Sequence, residues 1–279
     1  MSHPDPLQVR WIHGSESAKH NTDPDLQVHF HDDATVILRQ NKAVNYEAPF
    51  LFLLFGAERA VLLDTGATAD AELFPLRSTV DALVDQWLHA HPYAGYELVV
   101  LHTHSHGDHV AGDGQFADRP DTTVVGADRE PVHAYLGLAP DLDRPAQLDL
   151  GGRVVDCIAS PGHDAAAVTY FDPRTGFLLT GDTVYPGRLY VEDRAAFGLT
   201  IDRLVAFADT HKVSHVLGCH IEMSTTSGVD YPIRTTYQPD EPPLEMTVEQ
   251  LRNVQWAVAE VGDRPGRHVF DDFVLHLDG

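Results

Sequence analysis

The sequence has few cysteines, few basic residues and no long apolar run. Its two cysteines, Cys157 and Cys219, are too few for the disulfide framework of a small secreted domain, which favours a cytoplasmic location. Residues 1–6 lack the basic and apolar regions of a signal peptide, in agreement with that expectation. No run approaches the ~18 consecutive apolar residues of a membrane-spanning helix, so we expect no membrane association.

Basic residues are scarce relative to acidic ones. There are 19 Lys and Arg against 42 Asp and Glu, which gives a formal net charge of −23. Nucleic acid needs a basic surface, so this charge disfavours it as a partner, and it also disfavours an anionic membrane surface. We therefore expect a small-molecule substrate as the partner, with part of the acidity neutralised by bound cations. The sequence leaves open whether the protein is a homodimer.

The length of the chain permits a substantial core. With 279 residues, of which 43% are apolar, we expect a single domain over residues 1–279. The motifs that carry chemistry fall within about residues 34–221. Residues 222–279 are predicted to add a long loop, a helix over 247–261 and a last strand over 268–277.

A short run of histidines and one aspartate dominates the sequence. The apolar segment 97–101 predicts a buried strand, and this strand leads into the run of His102, His104, His106, Asp108 and His109. Residues two apart on an extended chain point the same way, so His104, His106 and Asp108 can face one side. His109 follows Asp108 directly, so the two side chains can face different directions and serve a second ion. Packing these groups together without a cation would be costly. Nitrogen and oxygen ligands without thiolate suit zinc, and also iron or manganese.

The same arrangement, an apolar strand followed by a turn with histidine or aspartate, recurs along the chain. It appears at Asp64, His163, Asp182 and His220 as well as in the histidine run. This repetition predicts that all these side chains lie at one edge of a sheet structure. For Asp64 two interpretations remain open, a simple turn residue or a carboxylate that holds the metal-binding loop.

Between these points the hydrophobic patterns predict strands and helices in alternation. A buried hairpin is expected over residues 49–63, and a helix over 71–90 leads into the strand at 97–102. Such a strand–helix–strand unit indicates a sheet covered by helices. The remaining predicted strands cover residues 7–12, 26–40, 122–125, 153–158, 168–171, 177–180 and 214–217. The remaining predicted helices cover residues 128–136 and 200–210.

Five segments together resemble the metallo-β-lactamase fold superfamily, in the order that this superfamily has them. They are residues 63–66, 103–109, 161–163, 180–183 and 218–220. The resemblance implies an α/β fold, a four-layer αββα sandwich with the site at one sheet edge. Position 182 is aspartate, where many true metallo-β-lactamases have cysteine. The site therefore resembles the glyoxalase II and lactonase type.

The resemblance also implies two divalent metal ions, with zinc expected. One ion would be held by His104, His106 and His163. The other would be held by Asp108, His109 and His220. Asp182 would bridge the two, with a hydroxide between them, and Asp108 would also shuttle a proton. The implied activity is hydrolysis of an ester, a lactone or a thioester.

Two alternative functions remain open at this stage. Persulfide dioxygenases of the same fold use one iron, which here would be held by His104, His163 and Asp182. The intact ligands of the second site argue against that alternative. Hydrolysis of β-lactams as a side activity is the other alternative.

Several residues near the motifs have two interpretations. Tyr185 follows Asp182 by three residues, the spacing at which lactonases of this superfamily carry a tyrosine that reaches the substrate carbonyl, but tyrosine is also an ordinary packing residue. Arg188 is expected to form a surface ion pair rather than to bind a substrate carboxylate. His102, like the pair His29 and His31, is predicted to be structural. Specificity is expected to lie in the loops 185–196 and 222–243.

Overall fold

Two six-stranded sheets form the centre of the structure, a computed structural model that describes residues 7–139 and 144–277. Residues 1–6, on which the signal-peptide expectation rests, lie outside these ranges. The first sheet follows the chain order, with β4–β5 and β5–β6 parallel and the other pairs antiparallel. Its strands are β1 (Leu26–Asp32), β2 (Thr35–Gln40), β3 (Phe50–Phe55), β4 (Arg59–Leu63), β5 (Glu97–Leu101) and β6 (Thr122–Val124).

The second half of the chain builds the second sheet and a smaller third one. Its strands are β7 (Ala146–Asp149), β8 (Val154–Ala159), β9 (Val168–Asp172), β10 (Phe177–Gly181), β11 (Arg188–Val191), β12 (His215–Gly218), β13 (Glu245–Met246), β14 (Gly266–Val269) and β15 (Val274–Leu277). The second sheet has the order β13-β12-β10-β9-β8-β7. The third sheet has the order β11-β15-β14, and it joins the end of the chain to the segment after β10.

Three helices cover the outer faces of the two large sheets: α1 (Leu76–Ala90), α4 (Arg194–Thr210) and α5 (Val248–Val261). Two shorter helices lie elsewhere: α2 (Gly107–Val110) is a single turn within the histidine run, and α3 (Arg129–Leu136) packs against the apolar residues between the sheets. Helix α5 begins with a capping box, in which Thr247 and Gln250 satisfy each other's main-chain N–H groups. Among the described residues, no helix combines the length and apolarity needed to cross a membrane.

Three apolar clusters hold these layers together. One cluster lies between the sheets and contains residues of both, such as Phe52 of β3 and Tyr170 of β9. A second packs α1 on the first sheet, and a third packs α4 and α5 on the second sheet. Because opposite faces of each sheet are covered in this way, β3 and β9 are buried at every position. The predicted α/β fold with four αββα layers is confirmed.

Some secondary-structure predictions were wrong. For the strands near the end of the chain, pairing between distant segments explains the difference. No strand forms over residues 7–12, although Trp11 and Ile12 are buried. The single strand predicted over 268–277 is the hairpin β14–β15. Strand β11 was placed in a loop, because four residues give little pattern of their own. Its parallel partner β15 lies more than 80 residues further along the chain, as the pair Arg188 and Val274 shows.

A buried ion pair connects the two large sheets. Arg153 of the β7–β8 turn binds Asp172 of β9 through Nε (3.1 Å) and Nη2 (2.7 Å). The same guanidinium donates to Thr35 Oγ1 (2.8 Å) and to the carbonyl of Ala34, which both belong to the first sheet and its turn. Each charged group therefore has its partners inside the protein, and the pair fixes how the sheets meet.

We expect Arg153→Met to lower the free energy of unfolding by about 3–5 kcal/mol, because it leaves the Asp172 carboxylate buried without its cation. Urea denaturation measures this change. The matched control is Arg174→Met, whose ion pairs with Asp32 and Asp33 are partly exposed and should contribute no more than about 1 kcal/mol. Equal losses in both variants would contradict the role assigned to Arg153.

Candidate metal centre

The predicted ligand-bearing turns meet at one edge of the two sheets. Each turn directly follows the end of a strand: Asp64 follows β4, the histidine run follows β5, His163 follows β8, and His220 follows β12. Asp182 comes immediately after Gly181, the last residue of β10. Gly181 has a positive φ of 55°, and an added Cβ would lie 2.5 Å from Thr103 Cβ. Glycine thus lets β10 approach the histidine-bearing loop.

The three-histidine group consists of His104, His106 and His163. One potential ligand atom from each side chain lies within 4.8 Å of the others. Within this group, His163 Nε2 and His106 Nδ1 are 3.1 Å apart. His104 and His163 are buried, whereas the His106 side chain is 38% exposed. The group therefore has one open side.

The Asp108 group consists of Asp108, His109, Asp182 and His220, with ligand atoms again within 4.8 Å of one another. Asp108 Oδ2 lies 3.3 Å from Nε2 of both His109 and His220. The two imidazole Nε2 atoms are themselves 3.3 Å apart. Asp108, with a side chain 23% exposed, is the most accessible member.

Asp182 lies between the two groups. Its Oδ2 atom is 3.6 Å from His109 Nε2 and 3.4 Å from His220 Nε2 in the Asp108 group. The same oxygen is 3.9 Å from Nε2 of His104 and of His163 in the three-histidine group. The side chain is 9% exposed. Its single carboxylate thus faces four imidazoles at once.

Hydrogen bonds from the far side of three imidazole rings fix their orientation. Each Nδ1 has a partner outside the group: His109 with Asp64 Oδ2 (2.9 Å), His163 with the carbonyl of Tyr190 (2.8 Å), and His220 with the carbonyl of Glu47 (3.0 Å). Such partners select the tautomer and leave Nε2 to face the ion, as is usual for metal-binding histidines. The two carbonyls could not be predicted, because every residue has a main-chain carbonyl and residue type does not show which one will face a histidine.

Asp64 is the carboxylate that holds the metal-binding loop, so this interpretation of its role is confirmed. It is fully buried, and it accepts hydrogen bonds from Thr103 N (2.7 Å), Thr103 Oγ1 (2.8 Å) and Cys219 Sγ (3.3 Å), besides His109. His102 points elsewhere, with Nε2 3.2 Å from Asp113 Oδ2, in agreement with a structural role.

The charges of the site suit positively charged ions. Two of its buried atoms, His104 Nε2 and Asp182 Oδ1, have no hydrogen-bond partner. Burial, together with the neighbouring His109, holds the pKa of His104 well below its usual value, which keeps the ring neutral and able to ligate. Burial acts to raise the pKa of Asp182, but the surrounding histidines, His220 and His109 foremost, together hold it well below its usual value. Neutral imidazoles and ionised carboxylates are the ligands that divalent cations such as zinc accept. Burial opposes protonation of His109 and His220, but the carboxylates beside them hold the pKa of both rings above its usual value, so a cation that binds there would displace their protons.

The residues after Asp182 differ from their predicted placement. Arg188 does not form a surface ion pair: it is 7% exposed, and its guanidinium binds Glu222 and Asp230 (3.1 Å) inside the protein. The prediction failed because Glu222 and Asp230 belong to a long loop whose path the sequence did not reveal. Tyr185 is buried, and its hydroxyl donates to the carbonyl of Arg188 and lies 3.2 Å from Glu222 Oε2. A contact between Tyr185 and substrate stays a prediction.

Comparisons with known proteins agree with this geometry. The family description "Metallo-beta-lactamase superfamily" matches residues 48–253. The hydroxyacylglutathione hydrolase of Rhizobium meliloti (strain 1021) is 31% identical over 170 residues, which are 57% of this chain and 61% of that protein. The hydroxyacylglutathione hydrolase of Halorhodospira halophila is 34% identical over 114 residues, 38% of this chain and 39% of that protein. The chain thus spans less than two thirds of the curated relatives that it matches.

Solved structures show the same fold. A metallo-beta-lactamase from Pontibacter korlensis superposes with a TM-score of 0.54 at 18% identity, covering 84% of this chain and 99% of that one. The ligand-bearing turns, the αββα layers and the match over residues 48–253 lead to one conclusion. The chain belongs to the metallo-beta-lactamase superfamily.

Proposed function

We propose that the protein is a metal-dependent hydrolase that cleaves an ester, lactone or thioester bond with two divalent ions. The observation that carries the proposal is the position of Asp182, whose Oδ2 lies 3.4–3.9 Å from histidines of both groups. A carboxylate in that position supports a two-ion site better than a single ion. Two divalent ions held this way make a water molecule acidic near neutral pH and polarise a carbonyl oxygen.

The protein's own residues have distinct roles in this proposal. His104, His106 and His163 would hold one ion, and Asp108, His109 and His220 would hold the other, with zinc expected at both. Asp108 is the more accessible of the two carboxylates, so it also takes the proton of the attacking water and returns it to the leaving group. Tyr185 would reach the substrate carbonyl only by giving up the hydrogen bonds that its hydroxyl makes to the carbonyl of Arg188 and to Glu222.

The thioester is the first substrate class to test. The hydroxyacylglutathione hydrolases among the relatives act on a thioester by their name, and position 182 carries aspartate as a glyoxalase II type of site does. The same metal ligands would also serve for esters and lactones, because thioesters, esters and lactones all have a carbonyl group bonded to a leaving group.

The test is hydrolysis of a panel by protein reconstituted with Zn²⁺. The panel contains p-nitrophenyl acetate, an N-acyl-homoserine lactone and a 2-hydroxyacyl glutathione thioester. We expect turnover of at least one member, loss of that turnover after treatment with a chelator, and its return on adding Zn²⁺. No turnover of any member by protein carrying two ions per chain would contradict the proposed function.

A further inference from the structure

One short segment beside the candidate metal centre has a strained backbone. Ala48, in the connection between β2 and β3, has a positive φ of 45° and is 1% exposed. This left-handed conformation is unfavourable for an L-residue with a Cβ, and glycine or asparagine usually occupies it. The next residue is Pro49, whose ring crowds the residue before it and favours an extended conformation there. Both the type of residue 48 and its neighbour therefore oppose the conformation that Ala48 adopts.

Hydrogen bonds on either side of Ala48 hold it in this conformation. The carbonyl of Glu47 accepts from His220 Nδ1 (3.0 Å), and Phe50 N donates to the carbonyl of Cys219 (2.7 Å). An extended chain would separate residues 47 and 50 by about 10 Å, at a rise of about 3.3 Å per residue, whereas their partners 219 and 220 are consecutive residues. The left-handed turn at Ala48 shortens the segment, so that both contacts form together.

The rest of this connection is anchored by contacts that do not involve the histidines. Glu47 N donates to Asn45 Oδ1 (3.1 Å), and Asn45 Nδ2 donates to the carbonyl of Ala67 (2.9 Å). On the other side of Ala48, the carbonyl of Pro49 accepts from Gln40 N (3.2 Å). With both sides anchored, rotation about the Ala48 backbone is the direct way to release the strain. That rotation would turn the Glu47 carbonyl away from His220.

Backbone strain of this kind is concentrated at the supports of the Asp108 group. Within residues 7–139 and 144–277, the residues other than glycine with a positive φ are Ala48, Asp64, Asp121 and Arg234. Two of them hold an imidazole of the Asp108 group: Asp64 binds His109, and Ala48 acts on His220 through the carbonyl of residue 47. The carbonyl that orients a ring of the three-histidine group lies instead in the regular strand β11. Strained residues persist where the surrounding structure fixes them, and they preorganise functional sites.

We propose that Ala48 is a positioning residue, whose left-handed backbone aims the Glu47 carbonyl at His220 and thereby sets the affinity of the Asp108 group for its ion. The side chain of Ala48 is a single methyl group, which can neither ligate an ion nor exchange a proton. Its effect therefore passes through the main chain, and it reaches only the group that contains His220. This inference rests on the two-ion site of the proposed function, but metal binding tests it without turnover.

The experiment changes the conformations open to residue 48 and measures both Zn²⁺ affinities by competition with a fluorescent chelator. His220→Ala identifies the binding step of the Asp108 group. Ala48→Pro fixes φ at about −65° and excludes the left-handed conformation. We expect it to weaken Zn²⁺ binding at the Asp108 group by roughly 10–100-fold, the usual cost of losing an orienting partner, and to leave the three-histidine group within about threefold. Ala48→Gly adopts the left-handed conformation without strain, so it should keep both affinities and raise the urea midpoint of the metal-free protein.

Asp121 provides the matched control, because it has a positive φ of 50° but is exposed and lies directly before β6, at the strand ends opposite the metal centre. Asp121→Pro should lower the urea midpoint and leave both Zn²⁺ affinities unchanged. If Ala48→Pro does not fold, Ala48→Val replaces it, since a β-branched residue strongly disfavours a positive φ.

Two results would overturn the inference while the proposed function stands. One is wild-type affinity at the Asp108 group in the folded Ala48→Pro or Ala48→Val variant. The other is an equal loss of that affinity in Ala48→Gly, which would assign the effect to packing of the methyl group. A wild type that binds a single Zn²⁺ would contradict the proposed function, and this inference with it.

Discussion

Asp182→Ala is expected to cause the largest loss of function of any single substitution in this protein. Because Asp182 faces histidines of both groups, its removal should lower metal content from two ions per chain to one or none. Substitutions of residues that only support a ligand cost ~10–100-fold in metal affinity or activity, so loss of this carboxylate should cost more than ~100-fold in kcat/KM. Metal analysis and kinetics on the same purified sample measure both effects.

Two further variants test whether the loss in Asp182→Ala is due to its missing carboxylate charge. Asp182→Asn keeps the shape of the side chain and removes its charge, so it should lose most of the metal as well. Asp118→Ala removes a carboxylate that is 90% exposed and should change neither metal content nor turnover. We also expect His106→Ala to lose metal and activity together. Full turnover by Asp182→Ala at wild-type metal content would rule out the ligand assignment.

Asp64→Ala is expected to cause the largest loss of stability at the site. This fully buried carboxylate accepts hydrogen bonds from Thr103, His109 and Cys219, and the substitution leaves all of their donors unpaired. Removing one member of such a buried network costs about 3–5 kcal/mol. We therefore expect the free energy of unfolding of the metal-free protein to fall by that amount, as measured by urea denaturation.

The same substitution should weaken metal binding at the Asp108 group. Asp64 fixes the His109 ring through Nδ1 at 2.9 Å, and loss of such an orienting partner typically costs ~10–100-fold in metal affinity. Competition with a fluorescent chelator measures this affinity. Asp70→Ala, at an exposed turn, is the matched control and should stay within about 0.5 kcal/mol of the wild type in stability. Unchanged metal affinity in Asp64→Ala would show that the hydrogen bond from Asp64 to the His109 ring is not needed for metal binding.

The ligand-bearing turns could be predicted because their signals are local. His104, His163, Asp182 and His220 each come within a few residues of the end of an apolar strand, and such strand ends gather at one sheet edge. The hairpin of β3 and β4 was visible for the same reason, since both runs and their turn are contiguous. The strand–helix–strand unit predicted a sheet covered by helices, and the four-layer order was implied by the resemblance.

The features that could not be predicted from the sequence depend on contacts between residues that are far apart along the chain. Strand β11 exists through its pairing with β15, and the burial of Arg188 depends on Glu222 and Asp230 in a loop without periodicity. One cavity is lined by both Lys42 and Gln238, which are almost 200 positions apart in the sequence. Neither residue stands out by type or by spacing, so only the folded chain reveals that they share a cavity.

The most direct test of the account is the number of metal ions per chain. Elemental analysis of the purified protein, with the chain concentration taken from amino-acid analysis, gives this number. The account predicts two divalent ions per chain in the wild type, with the hydrolytic activity of the panel proportional to occupancy. A single iron per chain with oxygen consumption and no hydrolysis would contradict it, as would a protein that binds no divalent ion after incubation with Zn²⁺.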